Sequence, residues 1–172
     1  MMSAIKPEPR ISYILPGALT VGFIIFACVK NNPHVVGYIT DGGVKLLVTS
    51  GLGLMAALMF GALFDAIRNI LEGILFDRLL GKLNWRFFFD STPEIVHQFD
   101  MYYFAYYTLD VNFVIGISFI IVTNTIMWIS GYSSVPCCVL VLLGLALVIM
   151  AWDACSLRKE MQGLMNNIKE KT

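Results

Sequence analysis

The sequence predicts an all-α integral membrane protein: a four-helix bundle with a cytoplasmic helical hairpin between helices two and three. Three observations predict it. Of 172 residues, 58% are hydrophobic and only 14% charged, with a mean hydropathy of +0.74; soluble domains carry about 25% charged residues. The apolar residues gather in four runs, each close to the about 20 residues that a helix needs to cross a bilayer. The basic residues are also unevenly placed. With the N-terminus inside, the outer side holds only Lys30 and Lys45 of the twelve Lys and Arg, a strong positive-inside bias that puts both termini in the cytoplasm.

The first span covers residues 11–29. Two basic residues precede it, as in a signal peptide, but no A-x-A cleavage pattern follows, so it reads as a retained helix. Pro16 lies in its first turns, near the end where proline is best tolerated. The second span covers 44–64, the third 111–132 and the fourth 135–152, opened by Pro136. The connection GYSSV is so short that helices three and four must form a tight antiparallel hairpin. The chain is thus one transmembrane domain with a cytoplasmic extension over 65–110.

That extension opens with DAIRNILEGILFDRLLGKL, which has helical spacing. Ile67, Ile70, Leu71, Ile74 and Leu75 form one stripe, and Asp65, Arg68, Asn69 and Glu72 occupy i, i+3, i+4 and i+7 on another. Helix two is therefore expected to continue to about Leu80, with Gly73 or Gly81 as a bend. The stretch NWRFFFDSTPE is an aromatic and basic patch, and Pro93 starts a second short helix capped by Ser91 or Thr92. The Tyr-rich run MYYFAYY reads as an aromatic belt at headgroup depth, or as a docking surface.

Three constellations carry the functional expectations. The topology gathers Asp65, Arg68, Asp110, Asp153 and Arg158 at one membrane boundary, as an interfacial charge network that locks helix ends. A ligand, ion or partner site is the alternative, and a carboxylate enzyme site a further one; hydrolysis would need a nucleophile–base pair or metal cage that the sequence does not display. Helix two carries the small-residue row Gly53, Ala57 and Gly61, which lets another helix backbone approach, either within the bundle or in a homo-oligomer seam. Helix three carries Asn112, Gly116 and Asn124 on one face, suited to interhelical hydrogen bonding or, as a second reading, to lining a pore. No ionisable residue falls at mid-membrane depth, which argues against a pump or proton-coupled carrier.

Cys28, Cys137, Cys138 and Cys155 lack metal-ligand spacing, and His34 and His97 lie far apart, so neither a metal nor a cofactor is expected. Net charge is zero, and Lys82 and Arg86 make only a thin basic patch, so direct nucleic-acid binding is not expected. Arg68, Glu72, Arg78, Lys82, Trp85 and Arg86 are the expected contacts for a cytosolic protein partner.

Short outer loops, cytoplasmic termini and one cytoplasmic helical hairpin over 65–110 give a layout that resembles the small four-helix membrane subunits of bacterial anti-phage defence systems, such as the membrane component of Kiwa. The resemblance is architectural and spans the whole chain. It implies a homo-oligomeric inner-membrane protein that senses a membrane event and holds a cytosolic effector, and it carries over no residue roles. The expected function is accordingly a non-enzymatic sensor or scaffold. Channel or membrane-permeabilising activity is the alternative.

Overall fold

The computed structural model describes residues 11–32, 34, 44–83, 91–132 and 135–169. All regular structure among them is helical: α1 (Ile11–Asn31), α2 (Val44–Leu71), a π-helical turn (Glu72–Phe76), α3 (Asp77–Leu79), α4 (Pro93–Phe99), a second π turn (Asp100–Phe104), α5 (Ala105–Ile129) and α6 (Cys137–Lys169). Four helical stretches are long and apolar enough to cross a membrane: Ile14–Asn31, Thr49–Leu79, Ala105–Ile129 and Cys137–Asn166. The second, of 31 residues, is about 46 Å long at 1.5 Å per residue, well beyond the ~30 Å of a bilayer's hydrocarbon.

α1, α2 and α5 form the tight part of the molecule, and small residues make it possible. Gly17 of α1 lies so close to α2 that a Cβ there would collide with the Ala57 carbonyl and come within 3.0 Å of the Gly61 nitrogen. Ala57 and Gly61 are both buried. At these two positions the row on helix two packs against the chain's own first helix, the within-bundle one of the two readings of this row. Gly53 faces open space. On α5, Gly116 admits Phe64, whose ring would lie 3.2 Å from a Cβ at that position, and Thr20 and Pro16 of α1 close the same node. Phe60, Phe64 and Phe119 cluster beside it, with ring centroids 5.9 to 6.4 Å apart.

Pro16 explains a second contact. A proline inside a helix removes the N–H that would bond the carbonyl four residues earlier. Here that is the carbonyl of Ser12, and Asn112 of α5 donates its Nδ2 to it at 3.3 Å. Asn112 is fully buried. At the far end of α5, Asn124 Oδ1 accepts the Val135 N–H at 2.8 Å and ties down the connection into α6. Both amides bond within one chain, and Gly116 packs there too, in keeping with the interhelical one of the two readings of this face.

α6 stands apart from that core. It packs mainly along α5, and only 6% of its apolar window is buried, against 28% for α5. The arrangement is therefore a three-helix core with a fourth helix at its side, rather than an even bundle. α6 rejoins helix two at one end of the molecule, where Leu83, Phe99, Tyr107, Val111, Ala154, Met161 and Met165 form a buried apolar cluster. We call this the charged end.

Candidate functional site

The charged end is built on two π turns. A π turn bonds i to i+5 and inserts one residue into the helical register. In the first, the Asp77 N–H bonds the Glu72 carbonyl, which carries the polar stripe of α2 onward to Asp77. In the second, the Ala105 N–H bonds the Asp100 carbonyl. Each π turn also supplies a phenylalanine to a buried arginine. Phe76 lies under the Arg158 guanidinium, 5.8 Å from ring centroid to carbon, and Phe104 under that of Arg68 at 5.7 Å.

Arg158 is the hub. Its side chain is 0% exposed. Nη2 donates to Asp77 Oδ1 at 2.6 Å and to the Gly81 carbonyl at 3.2 Å, and Nη1 donates to the Tyr107 hydroxyl at 3.0 Å. Gly81 stands at φ +86°, the left-handed conformation that ends a helix and turns its last carbonyls outward. Those carbonyls would lack partners. Gln162, one turn beyond Arg158, donates to the carbonyls of Leu80 and Gly81, each at 2.8 Å. Two side chains of α6 thus cap the end of helix two.

Arg68 forms the second centre. It pairs with Asp65 at 2.8 Å and lies 3.6 Å from Glu72, and it donates to Asn69 Oδ1 at 3.0 Å. Glu72, close to Arg68, also feels the charge of Arg158. The result is two neighbouring polar groups, one of Asp65, Arg68 and Glu72 and one of Tyr107, Arg158 and Asp77. Alongside it, buried Asp110 of α5 meets Asp153 of α6. The network expected from sequence is therefore split: Asp65 belongs with Arg68, Asp110 with Asp153, and Arg158 with Asp77.

The docking residues divide as well. Arg68 is 5% exposed and the Glu72 side chain only 15%. The expectation that they meet a partner is corrected, because the polar stripe of α2 turns inward and the apolar stripe outward: Ile70 and Ile74 are exposed. Arg78 and Lys82 are exposed, as is Lys159 of α6. Trp85 and Arg86 lie outside the described residues. Of the expected aromatic belt, Tyr107 is buried and Phe104 partly so, while Tyr106 faces out.

Sequence reasoning missed Asp77, Tyr107 and Gly17. Asp77 is off the polar stripe in an unbroken α-helix, and only the π turn restores it. Among the described residues, no group of three His, Cys, Asp or Glu side chains converges to hold a metal ion. Comparison with known proteins finds no matching family model, curated protein or solved structure.

Proposed function

We propose that this chain is a non-catalytic multi-pass protein of the bacterial inner membrane, with both termini cytoplasmic, that assembles as a homo-oligomer and docks a cytosolic protein at its charged end. The observation that carries this reading is the Arg158 hub. A buried arginine that holds Asp77, Tyr107 and the end of helix two makes the tips of α2 and α6 one body. Helix two is longer than the hydrocarbon it crosses, so a tilt within the bilayer displaces that body in the cytosol. The excess of Lys and Arg at this end supports the orientation. Exposed Arg78, Lys82 and Lys159 supply the docking surface. A sensor role is also what the sequence's architectural resemblance to membrane subunits of anti-phage defence systems implies.

The test is purification of the C-terminally tagged protein from its native host in mild detergent, with mass spectrometry of what accompanies it. A soluble protein at fixed stoichiometry, released by Arg78→Glu with Lys82→Glu, is expected. A clean oligomer with no companion would overturn the docking role.

A further inference from the structure

Beside the Arg158 hub, the junction of the end of helix two with α5 and α6 leaves a recess of about 100 Å³, lined by Phe76, Leu80, Val111, Val114, Ala151 and Cys155 among others. Tyr107 also borders it, but its hydroxyl is committed to Arg158. That leaves two aromatic rings, aliphatic carbon and the Cys155 side chain to make up the wall. A hollow without polar partners does not hold water: an engineered apolar cavity of ~150 Å³ stays dry and accepts a benzene-sized guest. An unfilled gap also forfeits the dispersion contacts of its lining.

The surroundings of the recess select its occupant. Val114, Ala151 and Cys155 lie within stretches apolar enough to span a membrane. The recess sits where residues from the end of helix two, α5 and α6 meet. Trp152, next to Ala151 in sequence, is 79% exposed, as expected of a side chain at a bilayer interface. The residues that follow each member of the buried pair, Arg78 and Lys159, are exposed cations at the same end. An apolar slot at membrane depth complements an acyl chain, and of the exposed charges at this end, Arg78 and Lys159 suit its phosphate, whereas Asp153 and Glu160 repel it and so fix the side on which it lies.

We propose that this recess binds an acyl-chain segment of a membrane phospholipid, with the phosphate on the side of Arg78 and Lys159. The site rests on the chain being in a bilayer, and it is independent of any cytosolic partner. It deepens the sensor reading, because the bound chain wedges between helix two and α6 directly against the residues that join them.

The full chain is placed in vesicles of phosphatidylcholine and phosphatidylglycerol doped with a phosphatidylcholine carrying a diazirine on one acyl chain. After irradiation, adducts are mapped by peptide mass spectrometry. Adducts at Val111, Val114, Ala151 and Cys155 should exceed those at outward-facing Val148 and Ile149 several-fold. Ala151→Phe, which fills the recess, should remove the excess and leave Val148 labelled. A second readout needs no variant: in detergent, phospholipid added to delipidated protein should slow maleimide labelling of Cys155 several-fold and leave Cys138, which is exposed, unchanged. Even labelling of recess and outer face, or an unchanged Cys155 rate, would overturn the site. Absence of adducts at Val148 as well would overturn the bilayer reading itself.

Discussion

Arg158 of α6 donates to Asp77 at 2.6 Å across 81 residues of sequence, and none of the arginine side chain reaches solvent. A buried ion pair of this kind is held by its geometry: removing one partner strands the other, at a cost of about 3–5 kcal/mol. Asp77 keeps some exposure, so Arg158→Met should cost about 3 kcal/mol, at the low end of that range. Asp77→Leu in the Arg158→Met background should recover part of the loss. Thermal unfolding in detergent, followed by helicity, measures the cycle, and strict additivity of the two changes would contradict the coupling.

Gly17 and Gly53 give a matched contrast. Gly17→Val drives a side chain into the Ala57 backbone and should cost more than the about 1–3 kcal/mol of ordinary overpacking. Gly53→Val enters open space and should leave stability unchanged. Gly61→Leu should behave like the first, through loss of the α1–α2 contact within one chain. Thermal melting of the three variants decides this; equal melting temperatures would contradict the packing.

Pro16 and Asn112 should be coupled. Asn112→Leu loses one interhelical hydrogen bond, about 0.6 to 2 kcal/mol in a membrane setting. Pro16→Ala restores the N–H that bonds the Ser12 carbonyl, so Asn112→Leu should cost less in that background. A double-mutant cycle on stability reads the difference.

Asn124→Leu separates the pore reading from the observed contact. Loss of the Asn124 acceptor leaves the buried Val135 N–H unpaired, which costs about 1–3 kcal/mol. The expected outcome is a lower melting temperature with no change in bilayer conductance. A changed conductance at unchanged stability would revive the pore.

Much of this structure was legible in the sequence, and what was missed has a physical cause. Four long apolar helices follow from hydropathy alone. The run of helix two to about Leu80 follows from helical spacing, which left Gly73 and Gly81 as alternative bends; it is Gly81 that takes the positive φ. The pairing of Arg68 with Asp65 and Glu72 follows from i, i+3 and i+4 neighbours on one helix. The partner of Arg158 did not follow, because a π turn is a one-residue change of register with no strong local signature, and it moves Asp77 onto the polar face. The inward turn of Arg68 was also hidden. Spacing shows that two stripes oppose each other, but only packing, with Phe104 of the second π turn against Arg68, decides which one is covered. Gly17 was missed because a glycine near a proline in an apolar run reads as helix, and its close approach exists only once α2 lies against it.

The joining of helix two to α6 through Arg158 is tested most directly by a distance distribution. Spin labels at Arg78→Cys and Lys159→Cys, in a background with the four native cysteines replaced by serine, report the separation of the two helix ends by double electron–electron resonance in vesicles. A single narrow distribution that broadens on Arg158→Met is the predicted result. A distribution equally broad with Arg158 present, or unchanged by its removal, would contradict it.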